Sequence, residues 1–172
     1  KQINDTLGHP AGDHVLQHTA KVLRDSIATG DFVARIGGDE FVILASFAGS
    51  AERLASLAER IIKRLRDPIA FEHHQCRTGA SIGIAFPSDG VTDAKQLLLN
   101  ADIALYRAKS QGRNRFEYFS PELQKGAIQT KQLSDQILAG LERGEFVPYY
   151  QLQFRASDLS VAGVETLARW QH

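Results

Sequence analysis

Two adjacent glycines, Gly37 and Gly38, separate two short runs of strand-forming residues. Residues 32–35 and 41–47 on either side are rich in Phe, Val and Ile, which favour an extended backbone. A Gly-Gly pair between two such runs is typical of a tight β-hairpin, because glycine tolerates the positive φ angles of two-residue turns. The sequence therefore predicts a hairpin whose tip carries the two consecutive carboxylates that follow the glycines.

Amphipathic helices are predicted around this hairpin. Residues 13–28, 50–66 and 94–110 carry apolar side chains at intervals of three and four, so each helix would bury one face. Asp13 stands at the predicted N-cap of the first helix, and Pro68 follows the end of the second. Additional strands are predicted at residues 69–72, 78–86 and 116–119.

The order of these elements is helix, hairpin, helix, strands, helix, strand. Segregated strands with helices packed on them predict an α+β fold rather than a doubly wound parallel sheet. A strand preceding Lys1 would complete a ferredoxin-like core. We expect the chain to be a segment of a longer protein, because it contains no methionine at position 1 or elsewhere.

The residues after Ser120 form a separate part of the pattern. Residues 121–143 predict a mostly polar helix with a thin apolar seam, and residues 146–154 and 161–170 predict two strands. This last piece is too short to bury a core of its own. The predicted parts of the chain are residues 1–119, a linker helix at 120–144 and a further fragment at 145–172.

The composition argues against several broad classes of function. Lys plus Arg and Asp plus Glu both number 20, so the formal net charge is zero and no whole-surface attraction to nucleic acid or anionic lipid is expected. Cys76 is the only cysteine, which excludes an internal disulfide and is typical of a reducing compartment. No apolar run reaches the roughly 18 residues of a membrane-spanning helix. We therefore expect a segment without membrane contact of its own, while other parts of the parent protein could hold membrane anchors.

The acidic pair Asp39 and Glu40 is the first candidate for chemistry. Two adjacent carboxylates repel each other, and a divalent cation such as Mg²⁺, which prefers carboxylate oxygens, would neutralise them. The two glycines before them would let a ligand approach the main chain closely. A solvated acidic turn is the commoner explanation of such a string, because similar turns are frequent in hairpins. The pair alone therefore does not establish a site.

Competing motifs for nucleotide or metal binding are missing from the sequence. It has neither a G-x-x-x-x-G-K-[ST] phosphate loop nor a G-x-G-x-x-G fingerprint. His73 and His74 do not show the ligand spacing of a structural zinc site. His9, His14 and His18 lie about one turn apart at the start of a predicted helix, but we do not expect them to bind a metal.

Two further blocks strengthen the case for a site at the acidic pair. Residues 1–13 read KQINDTLGHPAGD, and residues 101–114 read ADIALYRAKSQGRN. Together with Gly37 to Phe41, in this order and spacing, they resemble the signature of the GGDEF family over residues 1 to about 119. The resemblance implies a palm-type nucleotidyl cyclase core that makes cyclic di-GMP from two molecules of GTP.

The resemblance assigns roles to acidic and amide residues. Asn4 and Asp13 match positions that read the edge of guanine, whose donors and acceptors an amide and a carboxylate can satisfy. Helix capping by Asp13 is compatible with that role. Asp39 and Glu40 match the catalytic acidic positions, with metal-ligand roles for both. Two Mg²⁺ (or Mn²⁺) ions would activate a 3′-hydroxyl and neutralise an α-phosphate.

The basic residues of the resemblance concern the phosphates of GTP. Lys109 and Arg113 match cations that hold the β- and γ-phosphates, although a cation at a helix C-terminus is also favourable by itself. Arg35 matches a position close to the phosphates. Gly37 and Gly38 belong to the same substrate-binding segment.

Two departures from the family pattern limit what the chain is expected to do. The family's first strand carries a metal-binding aspartate four residues before the position matched by Lys1, so the chain alone is expected to be inactive as a cyclase. Many members also carry an R-x-x-D site for product inhibition just before the signature. Here Ala28 replaces the arginine while Asp31 keeps the aspartate, so we expect that inhibition to be absent or weak.

The C-terminal residues carry a second resemblance. Residues 145–151 (EFVPYYQ) and 163–170 (GVETLARW) are similar to the opening of an EAL domain, a TIM-like barrel that hydrolyses cyclic di-GMP with divalent metals. Glu165 matches its first metal-ligating glutamate. Gln151 and Arg169 match positions close to the dinucleotide. The first strands of a truncated barrel are therefore expected here.

Two functional hypotheses remain open. In the first, the chain belongs to a composite GGDEF–EAL enzyme whose GGDEF domain makes cyclic di-GMP. Since each such domain holds one GTP, a homodimer is then needed. In the second, the GGDEF domain binds GTP and regulates the attached EAL phosphodiesterase without making product. The complete acidic pair, with Asn4, Asp13 and the two phosphate-binding cations, favours the first hypothesis.

Overall fold

The structure, a computed structural model, describes residues 2–46, 51–87 and 93–171. The chain forms two compact units, the first extending to Gln124 and the second beginning at Lys125. Helices and short strand pairs make up the first unit, and a long hairpin with most of one helix makes up the second.

Two helices open the first unit. α1 spans Gln2–Leu7 and α2 spans His9–Arg24. Gly8, at φ +82°, is the N-cap of α2, and Pro10 lies in its first turn, where the missing N–H of proline is tolerated. The prediction that Asp13 caps this helix is therefore wrong, because the helix begins earlier and Asp13 lies inside it.

α2 also ends before residue 28, its predicted end. The hydroxyl of Ser26 donates to the carbonyl of Val22 (2.6 Å), and Arg60 Nη2 donates to the carbonyl of Ser26 (2.7 Å). Arg64 Nη1 donates to the Ser26 hydroxyl oxygen (3.0 Å). These bonds occupy acceptors at the C-terminal end of the helix, where carbonyl groups lose their intrahelical partners. Side chains from a later helix therefore stabilise this end, and no local sequence signal marks it.

The predicted hairpin is confirmed. β1 (Phe32–Gly37) and β2 (Glu40–Leu44) pair antiparallel, with Gly37 opposite Glu40 at the tip. The last residue of the predicted second strand, Phe47, lies outside the described residues.

α3 (Ala51–Leu65) confirms the predicted amphipathic helix, apart from Ser50, which lies outside the described residues. Its side chains Leu57, Ile61 and Leu65 are buried and pack with α2 in one apolar cluster. Partly buried side chains from both strands of the hairpin, and from residues 80–82 later in the chain, pack against this cluster: Val33, Phe41, Ile43, Ala80 and Ile82. The core of the first unit therefore lies between two helices and the hairpin.

The region predicted as two strands contains three. β3 (Ile69–Phe71) and β4 (His74–Cys76) form an antiparallel hairpin, and β5 spans only Ile82–Ile84. The prediction of one strand over residues 78–86 is therefore wrong in length, and β4 was missed. Glu72, at φ +50°, turns the chain between β3 and β4 without the glycine that would have marked a turn in the sequence.

α4 (Ala94–Ser110) and β6 (Phe116–Tyr118) confirm the last predicted elements of the first unit. β6 pairs parallel with β5. α4 lies so close to β5 that a β-carbon at Gly83 would overlap the carbonyl oxygen of Ala101 and the main chain of Leu105. Glycine is therefore needed at this position for the close approach of helix and strand.

The predicted α+β class is confirmed. The described strands of the first unit, however, form separate two-stranded sheets rather than one ferredoxin-like sheet. The hairpin β1–β2 and strand β5 contribute side chains to the same cluster with α2 and α3. The shared core, rather than a shared hydrogen-bond ladder, thus connects these strand pairs.

The second unit contains most of α5 (Pro121–Glu142) and a long antiparallel hairpin. The hairpin consists of β7 (Phe146–Phe154) and β8 (Val161–Trp170). All three elements agree with the helix and strands predicted there. None of the helices within the described ranges is long and apolar enough to cross a bilayer.

A small aromatic cluster joins α5 to this hairpin. Trp170 stacks on Phe146 with ring centroids 5.2 Å apart, and its Nε1 donates to Glu145 Oε2 (3.0 Å). A β-carbon on Gly140 of α5 would crowd the same group. Much of the hairpin beyond this cluster exposes large apolar side chains: Tyr149, Tyr150, Leu152, Phe154, Val161 and Val164.

Asp31 fixes the base of the β1–β2 hairpin. Its side chain is only 1% exposed, and Arg53 Nη2 lies 3.3 Å from its Oδ2. Oδ1 accepts from the N–H of Ser46 (2.8 Å), and Oδ2 accepts from the N–H of Ala28 (3.0 Å). These groups, led by the N–H of Ser46, lower the pKa of Asp31 below its ordinary value.

The substitution Asp31→Asn should destabilise the first unit in a pH-dependent way. Since the folded protein lowers the pKa of Asp31, the carboxylate stabilises the fold above its unfolded pKa of about 3.9, and that contribution is lost as the pH falls through the lowered value. We expect a Tm deficit that is largest near neutral pH and shrinks below about pH 4. Thermal unfolding followed by circular dichroism measures it, with the exposed Asp67→Asn as control. A deficit of the same size at both ends of the pH range would contradict the account.

Candidate functional site

The tip of the β1–β2 hairpin presents the acidic pair to solvent. Gly38 and Asp39 form the turn, and Glu40 opens β2 opposite Gly37. The φ angle of Gly38 is +50°, a region in which an L side chain is strained. Both carboxylates are exposed. The tip therefore offers carboxylate oxygens, the ligands that Mg²⁺ prefers, on a defined turn.

Arg35 supports this turn from β1. Its Nε donates to the carbonyl oxygen of Gly38 at 2.9 Å, so the guanidinium spans the tip. The resemblance gave Arg35 a place near the phosphates, and the structure adds this contact within the hairpin. Sequence reasoning missed it, because a bond from a side chain to the main chain across a turn has no sequence signature of its own.

Asn4 and Asp13 belong to the adjacent helices α1 and α2. Gly12 immediately precedes Asp13, and a β-carbon on Gly12 would overlap the carboxamide of Asn4. The Asn4 side chain therefore lies directly against the main chain beside Asp13. The turn at Gly8, whose N–H donates to the carbonyl of Asn4 at 2.9 Å, connects the two helices. The structure thus places the Asn4 side chain against the residue that precedes Asp13.

Lys109 and Arg113 lie at the end of α4. Lys109 belongs to the last turn of this helix, and Arg113 follows it with its N–H donating to the carbonyl of Ala108 (3.1 Å). Arg113 has φ +61°, which is unusual for a residue other than glycine. Both side chains are exposed. Two exposed cations therefore lie close in sequence at this end of α4, where each could form charge-assisted hydrogen bonds to a phosphate.

Within the described ranges, no three His, Cys, Asp or Glu side chains converge closely enough to hold a metal ion by themselves. The acidic pair at the tip supplies two carboxylates. A metal bound there would take its remaining ligands from other sources, such as water and the oxygens of a nucleotide. This pattern is usual for Mg²⁺, which keeps several waters and binds through one or two carboxylates plus substrate phosphates.

The segment in which Ala28 replaces the arginine of the R-x-x-D pattern borders a cavity of about 270 Å³. Ala28 and Asp31 line it together with Arg53 and Arg60 from α3. The carboxylate of Asp31 already accepts the main-chain and Arg53 contacts at the base of the hairpin. The retained aspartate therefore has a structural task in this chain, which the sequence pattern did not indicate.

The second unit brings its three predicted site residues to one face of the β7–β8 hairpin. Gln151 lies directly opposite Glu165, and Val147 lies opposite Arg169. Because side chains alternate along a strand, these positions share one face. The guanidinium carbon of Arg169 lies 5.7 Å from the centroid of the Tyr149 ring on the same face.

Comparison with known proteins identifies the family of the first unit. Residues 1–115 match the family described as "Diguanylate cyclase, GGDEF domain". The chain belongs to the GGDEF diguanylate cyclase domain family. The resemblance carried by the three sequence blocks is thereby confirmed. The matched range includes the hairpin tip and the candidate residues in α1, in α2 and at the end of α4.

Two curated relatives of the chain are named for different activities. The bifunctional diguanylate cyclase/cyclic di-GMP phosphodiesterase MucR of Pseudomonas aeruginosa is 40% identical over 173 residues, covering 100% of this chain and 25% of MucR. The cyclic di-GMP phosphodiesterase NbdA of the same organism is 34% identical over 173 residues, covering 100% of this chain and 22% of NbdA. This chain therefore spans about a quarter of the length of each of these two relatives.

Solved structures confirm the fold of the first unit. The GGDEF domain of PA1120 from Pseudomonas aeruginosa superposes with a TM-score of 0.68 at 34% identity, covering 72% of this chain and 73% of that one. The active GGEEF domain of a diguanylate cyclase from Vibrio cholerae gives a TM-score of 0.63 at 34% identity, covering 69% and 75%.

Alanine substitutions at the tip should show which of its two glycines is needed for backbone conformation. Gly38 lies at φ +50°, where an alanine costs about 1–2 kcal/mol in the free energy of unfolding. Among the described residues, nothing lies within 4 Å of a β-carbon placed on Gly37, whose φ is not positive. We therefore expect Gly38→Ala to destabilise the first unit by that amount and Gly37→Ala to change it by less than about 0.5 kcal/mol. Urea denaturation measures both, and equal losses would contradict the geometry.

Proposed function

We propose that the first unit belongs to a catalytic domain that, in the full-length protein, condenses two molecules of GTP into cyclic di-GMP and two molecules of pyrophosphate. The observation that supports this most is the exposed hairpin tip with both carboxylates, in a chain 34% identical to an active GGEEF domain of a diguanylate cyclase. In each of two steps, the 3′-oxygen of one GTP forms a bond to the α-phosphorus of the other. The bond to the β-phosphate breaks, pyrophosphate leaves, and the hydroxyl proton passes to solvent.

In this proposal the acidic pair holds divalent metal. Asp39 and Glu40 present hard oxygen ligands on an exposed turn, which fits Mg²⁺ or Mn²⁺. When bound, such ions lower the pKa of the attacking hydroxyl and neutralise charge on the phosphates. Gly37 and Gly38 leave room for the nucleotide to approach the main chain, and the bond from Arg35 to Gly38 keeps the turn in place.

The base and the phosphates would be bound at separate places. Asn4 of α1 lies against Gly12, the neighbour of Asp13 in α2, and an amide with a carboxylate can satisfy the donors and acceptors of guanine. Lys109 and Arg113 would hold the β- and γ-phosphates by charge-assisted hydrogen bonds. This distribution of polar groups accounts for selection of GTP over other nucleoside triphosphates.

The reaction joins two identical substrates, and each domain offers one set of base- and phosphate-binding residues. Two GGDEF domains must therefore face each other, so that the 3′-hydroxyl of each GTP meets the α-phosphate of the other. A homodimer is the simplest assembly that provides this arrangement. A domain that uses GTP as substrate would work in the cytoplasm, because GTP is a cytoplasmic metabolite.

The second unit has a different role in the proposal. Residues 145–172 begin an EAL phosphodiesterase domain, residues 120–144 link it to the GGDEF domain at 1–119, and the chain is part of a longer protein. The shared face of Gln151, Glu165 and Arg169 supports this, with Glu165 as a metal ligand and the other two near cyclic di-GMP. The apolar side chains exposed on both strands would be covered by the rest of a barrel.

The alternative is a regulatory domain that binds GTP and controls the attached phosphodiesterase. The identity to NbdA, which carries the name of a cyclic di-GMP phosphodiesterase, keeps this alternative in view. The complete acidic pair favours synthesis, because a domain that only binds GTP does not need both carboxylates for the base or the terminal phosphates.

Product analysis of the full-length protein tests the proposal. The protein is incubated with GTP and Mg²⁺, and nucleotides are separated for the wild type, Glu165→Gln and Asp39→Asn/Glu40→Gln. We expect cyclic di-GMP to accumulate in Glu165→Gln, where hydrolysis is blocked, and to be missing in the double variant. If Glu165→Gln makes no cyclic di-GMP but still binds GTP, the domain is a regulator and the proposal of synthesis is wrong.

Gly12→Ala should weaken guanine binding through Asn4. The added β-carbon displaces the Asn4 carboxamide, so loss of its hydrogen bonds should raise the Kd for GTP roughly three- to tenfold. Asn4→Ala should have the same effect, and the two changes together should not add, since both remove one contact. Titration with a labelled nucleotide measures the Kd, with Gly126→Ala as a helix-glycine control in open space among the described residues. An unchanged Kd in Gly12→Ala, beside a raised one in Asn4→Ala, would contradict the seating of Asn4.

A further inference from the structure

The turn after α4 contains three consecutive residues at positive φ. These are Gly112 at +108°, Arg113 at +61° and Asn114 at +51°. Glycine adopts such angles freely, whereas in other residues the β-carbon approaches a carbonyl oxygen. Asn tolerates the left-handed region better than most residues, and Arg does not share that preference. The surrounding structure must therefore hold Arg113 in this conformation, and strain of this kind concentrates at functional sites.

Asn114 is held from two sides. Its carbonyl oxygen accepts from Arg66 Nη2, just beyond the end of α3, at 2.9 Å. Its carboxamide lies against Gly79, where a β-carbon would overlap the amide oxygen. The segment around Gly79 is itself fixed, because the hydroxyl of Thr78 donates to the carbonyl of Leu65 (2.9 Å). The end of α3 and the segment that leads into β5 thus hold Asn114 in place.

The glycine at position 79 is required for space and not for its backbone. Its φ does not lie in the positive region, unlike that of Gly112 or Gly38. An alanine could therefore adopt its backbone conformation without strain. The three atoms that would lie nearest to its β-carbon all belong to the carboxamide of Asn114, and the closest is the amide oxygen. Gly79 and Asn114 therefore pack as a pair: because Gly79 has no side chain, the carboxamide of Asn114 can lie against its main chain.

We infer that Asn114, seated against Gly79, is a positioning residue for Arg113. It contacts neither nucleotide nor metal. It stabilises the left-handed turn that sets the direction of the Arg113 Cα–Cβ bond, and thereby aims the guanidinium at the terminal phosphates. The inference rests on the proposed function, which gives Arg113 those phosphates as its ligand. It adds Asn114 and Gly79, which neither the sequence analysis nor the family match assigned to the site.

Nucleotides with and without terminal phosphates separate this role from a purely structural one. The full-length protein is titrated with an α,β-methylene analogue of GTP, which cannot be cyclised, and with GMP, which lacks the β- and γ-phosphates. Asn114→Ala and Gly79→Ala should each raise the Kd for the analogue roughly tenfold while leaving the Kd for GMP unchanged, because only the analogue reaches Arg113. Gly126→Ala serves as the matched glycine control, since it meets no described atom within 4 Å.

A rescue variant gives a second test. Asn114→Gly keeps the preference for positive φ without a side chain, so its affinity for the analogue should stay within about twofold of the wild type. In the double variant Gly79→Ala/Asn114→Gly, the new methyl group no longer meets a carboxamide, so the loss caused by Gly79→Ala should disappear. If the double variant binds the analogue as poorly as Gly79→Ala alone, the seating of Asn114 is not the cause and the inference is wrong.

Arg113→Ala distinguishes failure of the inference from failure of the proposed function. If Arg113→Ala weakens the analogue but not GMP, while Asn114→Ala and Gly79→Ala change neither, the proposed function stands and the inference is overturned. If Arg113→Ala also leaves the analogue unaffected, Arg113 does not bind the terminal phosphates, and that part of the proposed function fails with the inference. Thermal unfolding of each variant confirms that the compared proteins are folded.

Discussion

Burial of one face of α3 is the interaction on which the first unit depends. Leu57, Ile61 and Leu65 pack with α2 and receive side chains from the hairpin and β5. Burying each such side chain fully is worth about 1.5–3 kcal/mol, so this stripe carries a large part of the stability of a small core. The polar residues of the same helix act at its edges, where Arg60 and Arg64 bind the end of α2 and Arg53 binds Asp31. α3 thus fixes the base of the hairpin while its tip remains in solvent.

This division between a buried base and an exposed tip explains how an acidic turn can serve chemistry. Two neighbouring carboxylates are tolerated at the tip because water solvates them, and the Arg35 bond to Gly38 limits how far the turn can move. A nucleotide with its metal would bring the compensating charge. The cations Lys109 and Arg113 lie at the end of α4, and the residues proposed to read guanine lie in α1 and α2. Each group has its own local contacts. In two of them an asparagine side chain lies against a glycine: Asn4 against Gly12, and Asn114 against Gly79.

The sequence predicted those elements whose signals are local and strong. The apolar stripe of α3 and the Gly-Gly turn of the hairpin follow directly from periodicity and from the φ angles of glycine. The start of α2 was misplaced, because Asp13 looks like a cap and the role of Gly8 depends on the preceding helix α1. The β3–β4 hairpin was missed, because Glu72 occupies its turn at positive φ where sequence reasoning expects glycine or asparagine. The candidate residues themselves came from the family resemblance. The contacts of Asn4 with Gly12 and of Asn114 with Gly79 could not be predicted from the sequence, since only the fold brings these positions together.

The most direct measurement for the central claim is the position of metal and nucleotide in crystals of the full-length protein grown with Mn²⁺ and a non-cleavable GTP analogue. Anomalous scattering identifies Mn²⁺ independently of the atomic interpretation. The account predicts Mn²⁺ at the carboxylates of Asp39 and Glu40, guanine against Asn4 and Asp13, and the terminal phosphates at Lys109 and Arg113. Well-ordered nucleotide bound elsewhere, with no anomalous signal at the hairpin tip, would contradict it.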